Sequence, residues 1–262
     1  MEQKTVVITG ASSGIGKATA ALFAENGFRV YDLSRSGGST QTVTHIRADV
    51  TKPETLREAM AAVVNETGRL DVLVCCAGMG VSGPVEFIPE ADMKRQFEVN
   101  LYGTVNTVQA ALPFMREARA GRILCVSSVA AVYAIPFQAY YSASKAAINA
   151  FVSALRNEVK PFGVTVTAVM PGDISTGFTA ARQKTVLGED VYPHARTSVQ
   201  KMEKDEINGM PPAAAAKLIY KLANKKAPAP LYTVGLSYKA LVFLNRLFPA
   251  SLANKIVGGM YK

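Results

Sequence analysis

The sequence predicts an α/β fold built on a doubly wound parallel sheet. Short runs of β-branched and apolar residues alternate with helical segments along the chain, which is typical of βαβ units. The runs are almost wholly apolar, as expected of strands that helices cover on both faces. The chain has 262 residues, of which 49% are apolar, and this suits one large domain with a sizeable core.

Seven runs have the length and composition of strands. They cover residues 5–9, 28–34, 43–49, 72–76, 122–127, 164–169 and 231–234. Helices are predicted between them, at residues 16–26, 53–66, 90–118 and 144–159. Thr51 is expected to cap the second helix with Glu54 completing a capping box, and Pro113 is expected to bend the third. Such sheets bind ligands at the carboxyl ends of their strands, so functional residues are expected there.

Composition excludes several classes of protein. No apolar run reaches the roughly 18–20 residues that span a bilayer, and the first residues do not resemble a signal peptide. Cys75, Cys76 and Cys125 are too few for a disulfide framework, so we expect a reducing, cytoplasmic location.

Positive charge is concentrated at the C-terminal end. The formal net charge is +9, yet no acidic residue follows Glu206 while eight basic residues do. Such asymmetry is compatible with nucleic acid, a membrane surface, an anionic substrate or simple solubility. Nucleic acid is disfavoured as a partner, because no known binding motif occurs and the C-terminal segment is too apolar for a basic arm.

A glycine-rich turn joins the first strand to the first helix. Gly10 suits the tight turn, Gly14 allows a pyrophosphate to approach the backbone, and Gly16 lets helix and strand pack closely. The phosphate-binding residues predicted in this turn are Gly10, Ser12, Ser13, Gly14, Ile15 and Gly16. The spacing is wider than G-x-G-x-x-G, and a merely structural turn remains the alternative.

The end of the second strand decides between NADP and NAD. An acidic residue there would bind the ribose hydroxyls of NAD, whereas a basic residue favours the 2′-phosphate of NADP. Asp32 lies inside the strand, and Ser34 and Arg35 end it. We therefore favour NADP(H) over NAD(H), with Arg35 on the phosphate and Ser34 beside it, because the guanidinium suits phosphate. NAD remains an alternative, because Asp32 could bind its ribose hydroxyls. The other alternative is that Arg35 is only a solvated surface residue.

A serine, a tyrosine and a lysine form the predicted catalytic set. Tyr141 and Lys145 are four residues apart and share one face of a helix. A lysine ammonium one turn away favours the phenolate, so Tyr141 can act as a general acid or base. Ser128 follows the fifth strand and can bind the same substrate oxygen. Asn100 can hold a helix open for a water that relays protons to Lys145.

The chain resembles the short-chain dehydrogenases/reductases from about residue 4 to residue 178. The matching motifs are Thr9-Gly10-x-x-x-Gly14-Ile15-Gly16, Asp49-Val50, Ala77-Gly78, Asn100, Ser128, Tyr141-x-x-x-Lys145 and Pro171-Gly172-Asp173-Ile174-Ser175-Thr176. The resemblance implies a Rossmann-type domain with a seven-stranded sheet that transfers hydride to or from a nicotinamide.

The resemblance also implies individual roles. Tyr141 is the acid/base, Lys145 binds the ribose, Ser128 orients substrate and Asn100 supports the relay. Further cofactor-binding residues are Asp49 and Val50 near the adenine, Ala77, Gly78, Pro171 and Gly172, and Ile174 with Thr176 at the carboxamide. A homodimer or homotetramer is implied as well.

One position departs from the family pattern. The family usually has Asn-Asn-Ala-Gly after the fourth strand, whereas this chain has Cys75-Cys76-Ala77-Gly78. The hydrogen bonds of those asparagines are therefore in question, although cysteine should still pack in the sheet. A redox pair or a metal site with Cys125 is disfavoured, because three thiols without a histidine are a poor ligand set. We expect no metal.

Residues 175–210 follow the sixth strand, where the family has its substrate lid. Apolar residues there can cover an apolar substrate, namely Phe178, Val186, Leu187, Tyr192 and Met202. Residues 79–87 and 130–137 are expected to form the other wall. These apolar walls favour a hydrophobic ketone or alcohol, such as a hydroxysteroid or an acyl chain.

Residues 235–262 form a basic and apolar extension. Helices are predicted at 236–248 and 251–257 around Pro249, with Lys239 and Arg246 on the polar side of the first. Three alternatives stay open for this extension. It packs on the core or a second subunit, it lies in a membrane interface, or it shapes the substrate mouth.

Together these features predict an NADP(H)-dependent oxidoreductase that interconverts a carbonyl and a secondary alcohol. Within that class, a 3-oxoacyl thioester reductase or a general carbonyl reductase is the alternative. A non-catalytic dinucleotide-binding or regulatory protein is the alternative from another class.

Overall fold

Strands and helices alternate along the chain in the computed structural model, which describes residues 3–185, 187–245 and 247–261. The strands are β1 (Thr5–Thr9), β2 (Arg29–Ser34), β3 (Val43–Arg47), β4 (Val72–Cys75), β5 (Val81–Ser82), β6 (Gly121–Val126), β7 (Val164–Met170), β8 (Gln183–Lys184) and β9 (Leu231–Thr233). The helices are α1 (Gly14–Glu25), α2 (Pro53–Thr67), α3 (Glu90–Phe97), α4 (Gly103–Glu117), α5 (Ala139–Val159), α6 (Phe178–Ala181), α7 (Ala195–Ile207), α8 (Pro212–Ala223), α9 (Leu236–Asn245) and α10 (Ala250–Met260).

The central sheet has seven strands in the order β3-β2-β1-β4-β6-β7-β9, and all of its pairings are parallel. From β1 the chain adds β2 and then β3 on one side of the sheet. It then crosses back and adds β4 on the other side of β1. The loops after β1 and β4 therefore diverge, and a crevice opens between them at the carboxyl edge. The predicted doubly wound α/β fold of the Rossmann type is confirmed.

Helices cover both faces of this sheet. Successive residues of β1 point to opposite faces, so Val7 joins one buried cluster while Val6 and Ile8 join the other. The first cluster includes side chains of α2, α4 and α5, and the second includes Phe23 of α1 and Ile219 of α8. This double cover explains why the strands read as continuous apolar runs.

The helix boundaries correct three expectations. The segment predicted as one helix over 90–118 contains a π-helical turn at Glu98–Tyr102, between α3 and α4, and α4 runs through Pro113. The expected cap at Thr51 is wrong, because Lys52 precedes α2 without a side-chain cap and the Thr51 hydroxyl instead donates to Asp49. Helix α5 begins at Ala139, whereas the predicted start was residue 144. The prediction missed the first turn because the apolar periodicity is weaker there.

The lid region and the C-terminal extension have structure that the sequence did not indicate. Two short strands, β5 and β8, pair in parallel outside the main sheet. Helix α9 is described over Leu236–Asn245, and residues 247 and 248, which were predicted to belong to it, are not helical. Val186 and Arg246, which the sequence placed in the lid and on α9, lie outside the described residues. Among the described residues, no helix is both long and apolar enough to cross a membrane.

Candidate active site

A cavity of about 570 Å³ opens at the carboxyl edge of the sheet, at the crevice between β1 and β4. All the predicted cofactor-binding and catalytic residues line it except Asn100, which lies buried directly behind Gly78. The sequence motifs, which span more than 160 residues from Gly10 to Thr176, are thus brought to one site.

The glycine turn has the shape that a phosphate cradle needs. Gly10 and Gly14 have φ angles of +71° and +52°, which favour glycine. A Cβ on Gly16 would lie 2.3 Å from the carbonyl oxygen of Gly10, so any side chain there would collide with the turn. Helix α1 begins at Gly14 with no side-chain cap, which leaves its first N–H groups free for an anion. The turn therefore fits a dinucleotide pyrophosphate.

The carboxylate of Asp32 is occupied within the protein. It accepts hydrogen bonds from the Ala11 backbone N–H at 2.9 Å and from the Ser34 hydroxyl at 2.8 Å, and it pairs with His45 Nδ1 at 3.2 Å. Asp32 is 4% exposed and does not line the cavity, whereas the exposed Arg35 does. The carboxylate that left NAD as an alternative is thus bound within the protein and does not face the cavity.

Tyr141 and Lys145 lie one turn apart on α5, as predicted. The Lys145 ammonium is 5.7 Å from the centre of the Tyr141 ring and donates to the carbonyl oxygen of Val126 at 2.9 Å. Ser128 lies directly after β6 and accepts a hydrogen bond from the backbone N–H of Ala130 at 3.1 Å. The three side chains line the same cavity, and the Ser128 hydroxyl lies close enough to Tyr141 to act on its hydroxyl group.

Burial disfavours the charged forms of both Tyr141 and Lys145. It raises the pKa of Tyr141 to about 12, although the Ser128 hydroxyl acts in the opposite direction. Burial lowers the pKa of Lys145 to about 8. At neutral pH the tyrosine is therefore a proton donor and the lysine keeps most of its positive charge.

We expect the reductase kcat to fall as the pH rises through about 8. In the predicted mechanism the positive charge of Lys145 stabilises the developing Tyr141 phenolate, and Lys145 loses this charge above its pKa, so activity should be present below pH 8 and lost above it. Arginine stays charged over this range, so Lys145→Arg should flatten the profile between about pH 7 and 9, at a lower overall rate. NADPH affinity measured at each pH separates this effect from loss of cofactor. A parallel fall in both variants would contradict the assignment.

Asn100 lies in the π-helical turn between α3 and α4. Its side chain accepts from the backbone N–H of Met79 at 2.8 Å and donates to Met79 O at 3.0 Å and to Ser144 Oγ at 3.1 Å. A Cβ on Gly78 would be 3.3 Å from Asn100 Oδ1 and 3.6 Å from Lys145 Nζ. Gly78 therefore lies between these two polar groups, and the proton relay through Asn100 stays a prediction.

Of the two cysteines that replace the usual asparagines, Cys75 packs in the sheet, whereas Cys76 follows β4 and lines the cavity. Cys75 is buried and lies opposite Cys125 in the register of β4 and β6. Burial raises the pKa of the Cys76 thiol to about 12, which makes it a poor nucleophile at neutral pH. Across the described ranges, no group of three or more His, Cys, Asp or Glu residues is placed to hold a metal ion.

The walls of the substrate side differ from the prediction. Residues 79–87 do not line the cavity, whereas Ala130, Tyr133 and Ile135 do. Of the apolar lid residues named above, Phe178 alone lines it among those described, with its ring 5.8 Å from that of Tyr141. Met202 is buried away from the cavity and Leu187 is 60% exposed.

The C-terminal extension supplies the missing wall. Tyr238, Leu241, Val257, Met260 and Tyr261 line the cavity. The Tyr133 hydroxyl donates to Leu241 O at 2.6 Å, and the Ser198 hydroxyl donates to Tyr261 O. The extension thus packs on the core and lines the cavity, while its role toward a substrate stays a prediction.

Carboxylates also face the substrate side. Asp173, Asp205 and Glu206 line the cavity, and the charges of Asp173 and Glu206 both raise the pKa of Tyr141. Glu206 is paired with the fully buried side chain of Arg182. Asp173 accepts a hydrogen bond from Tyr238 at 2.5 Å, burial raises the pKa of its carboxyl, and no described basic side chain lies within ion-pair distance of it.

The sequence reasoning missed Asp173 and Tyr238 as site residues. Asp173 lies in the Pro171–Thr176 motif, but no role was predicted for its side chain. Tyr238 stood on a helix whose position relative to the sheet the sequence does not specify. A Cβ on Gly172 would lie 2.4 Å from the Tyr238 ring, so the glycine of the motif is the signal that another element packs closely there.

Comparisons with known proteins agree with this geometry. Residues 4–187 match the family model of short chain dehydrogenases. The chain is 40% identical over 234 residues to a protein of Bacteroides thetaiotaomicron named 3-ketodihydrosphingosine reductase, and the match covers 87% of this chain and 86% of that protein.

Two solved structures share the fold. A short-chain dehydrogenase from Streptomyces avermitilis superimposes with a TM-score of 0.80 at 28% identity, over 94% of this chain and 93% of that one. The NADP-bound protein ElxO superimposes with a TM-score of 0.76 at 26% identity, over 91% of this chain and 99% of that one.

Proposed function

The chain belongs to the short-chain dehydrogenase/reductase family, and we propose that this oxidoreductase uses NADP(H) to interconvert a long-chain amino ketone and its secondary alcohol. The observation that carries the proposal is the composition of one cavity. Ser128, Tyr141 and Lys145 line it together with Asp173, a carboxylate that has no described basic side chain within ion-pair distance, and with apolar side chains of the C-terminal extension.

NADP(H) is preferred in this proposal because of the residues at the end of β2. Arg35 lies on the cavity wall beside Ser34, while Asp32 is buried with three partners of its own. A guanidinium with free donors suits the additional phosphate, and a carboxylate that is already hydrogen-bonded is a poor ligand for ribose hydroxyls. ElxO, which has a similar fold, binds NADP.

The chemistry assigned to the side chains is general acid catalysis. When bound, the nicotinamide supplies the hydride that reduces the carbonyl carbon. Tyr141 donates its phenolic proton to the carbonyl oxygen, and Ser128 holds that oxygen by a hydrogen bond. The ammonium of Lys145 stabilises the phenolate that Tyr141 becomes, and Asn100 and Ser144 form the polar path behind it.

The substrate class follows from charge and apolarity together. Dihydrosphingosine is a long-chain amino alcohol, so its 3-keto form places an ammonium group beside the carbonyl and an alkyl chain beyond it. Asp173 and Tyr141 line the same cavity, so a substrate that reaches Tyr141 also meets a carboxylate. Leu241, Val257 and Met260 offer apolar contacts for the chain. An anionic acyl thioester matches this acidic wall less well.

The proposal is tested by NADPH oxidation with purified full-length protein. We expect turnover of 3-ketodihydrosphingosine to exceed that of its neutral N-acetyl derivative and of cyclohexanone, because only the first offers both a cation and a long chain. Equal or better turnover of the neutral ketones would reject the amino ketone, and cofactor binding without turnover of any carbonyl compound would favour a regulatory protein.

Asp173→Asn separates the headgroup contact from the rest of the site. Asparagine can still accept the Tyr238 hydrogen bond, so the fold should persist. We expect the KM for the amino ketone to rise about tenfold or more, as for loss of one charge-assisted hydrogen bond, and that for the neutral derivative to stay nearly constant. An equal rise for both substrates would make Asp173 a positioning residue only.

Two further expectations stay predictions. The homodimer or homotetramer implied by the resemblance is checked by light scattering on the purified chain. The cytoplasmic location, expected from the free thiols of Cys75, Cys76 and Cys125, is checked by fractionation of the source cells.

A further inference from the structure

The outer side of the C-terminal extension exposes a row of large apolar side chains, which we name the tail surface. Its members are Leu236, Phe243, Leu244, Leu247, Phe248, Leu252, Ile256 and Met260, each between 38% and 83% exposed. In the described part of the chain, the other exposed large apolar residues lie far away in sequence, at Val85, Tyr102, Leu187, Val191 and Ile207. Scattered single residues are normal at a protein surface, whereas a concentrated set marks an interaction site.

Helix α9 has its apolar residues on both sides. Val242 packs against the core with Tyr238 and Leu241. Leu236, Phe243 and Leu244 follow the spacing i, i+7 and i+8, so they share the opposite face, which is the exposed one. A surface helix of a water-facing protein would have polar residues on that side. The outer face of α9 therefore lacks a partner within the described structure.

Helix α10 continues this surface toward the cavity. Leu252, Ile256 and Met260 are spaced by four residues and lie on one face. Met260 is both 48% exposed and part of the cavity wall. Val257 of α10 and Val242 of α9 are buried in the same small cluster, so the two helices lie on the same part of the molecule. The tail surface thus reaches the mouth of the substrate cavity.

Charge indicates what covers this surface. Lys239 of α9 and Lys255 of α10 are exposed on the same helices, and the sequence after Glu206 contains no acidic residue. A second copy of this chain packed on a two-fold axis would bring the same basic residues together, which is unfavourable. An anionic lipid surface accepts apolar side chains below its headgroups and attracts lysines at headgroup level.

We propose that the tail surface docks on an anionic phospholipid bilayer and turns the mouth of the cavity toward the lipid. A substrate with a long alkyl chain then moves from the bilayer to Tyr141 along Met260 without crossing water. This second statement rests on the proposed function, whereas the docking itself depends only on the tail surface.

The test measures co-sedimentation of the full-length protein with vesicles of phosphatidylglycerol and phosphatidylcholine, and with phosphatidylcholine alone. We expect the wild type to partition more strongly to the anionic vesicles, and Phe243→Gln with Leu247→Gln to weaken this at least about tenfold. Both side chains are at least 60% exposed, so the fold should tolerate the change. Leu187→Gln with Val191→Gln is the matched control, because these residues are 60% exposed and lie off the cavity wall.

The outcomes separate docking from catalysis. Unchanged partitioning of the Phe243 and Leu247 variant, or an equal loss in the control variant, overturns the docking proposal. The docking proposal is also overturned if the wild type does not bind vesicles and forms a dimer that becomes a monomer in the tail variant. With docking intact, the tail variant should slow reduction of vesicle-borne amino ketone but not of a water-soluble ketone. Loss of both rates together would refute delivery through the bilayer, and a wild type inactive on every ketone would refute only the proposed function.

Discussion

Tyr141→Phe is expected to lower kcat for carbonyl reduction by about 10²–10⁴-fold, the usual contribution of a positioned general acid. Phenylalanine keeps the ring that packs 5.8 Å from Phe178 but lacks the hydroxyl whose proton the reaction needs. The substrate oxygen would then have to take its proton from water. Steady-state kinetics with saturating NADPH measure the effect.

Binding controls show whether the loss is chemical. NADPH affinity and the melting temperature should stay close to wild type, because the hydroxyl is not needed for packing. Tyr140→Phe is the matched control, since Tyr140 is the adjacent residue on α5 and does not line the cavity. Full activity in Tyr141→Phe would refute the role of Tyr141, and an equal loss in Tyr140→Phe would point to a disturbed helix.

Arg35→Ala is expected to weaken NADPH binding by roughly 10–100-fold, which corresponds to one or two hydrogen bonds to a charged group. NADH lacks the 2′-phosphate, so its affinity should change little and the variant should lose its preference. Arg35→Lys keeps the charge without the forked donors and should lie between the two. The dissociation constants of both cofactors, measured by fluorescence titration, check this.

Arg47 provides the control for charge alone. It lies on β3 opposite Ser34, is exposed, and does not line the cavity. Arg47→Ala should therefore change NADPH affinity much less than Arg35→Ala. A wild type that prefers NADH, or an equal effect of the two substitutions, would contradict the role of Arg35.

Most of the strand positions and many of the candidate site residues could be predicted from the sequence, because both depend on short-range chemistry. Apolar β-branched runs form buried strands, and right-handed crossovers bring their carboxyl ends to one edge. Gly10, Gly14 and Gly16 indicate a phosphate cradle because only glycine fits those backbone positions. The failed cap at Thr51 also has a local cause, since its hydroxyl donates to the Asp49 carboxylate two residues away.

The state of Asp32 illustrates what sequence alone leaves open. An acid near the end of the second strand is equally compatible with a ribose ligand and with a buried structural carboxylate. The structure places it against Ser34 of its own strand and against the Ala11 N–H and His45, which approach it from two other segments of the chain. Such long-range pairing has no signature in local spacing.

By itself, the sequence determined the α/β class, the glycine turn and the spacing of Tyr141 and Lys145, because periodicity and glycine geometry act within a few residues. The tertiary structure decided which walls enclose the substrate. It replaced residues 79–87 by the C-terminal extension and brought Tyr238 to Asp173, 65 positions away. The place where an amphipathic helix packs depends on complementary shape across the whole fold. The sequence of α9 does not indicate which of its faces is buried, because both sides of the helix are apolar.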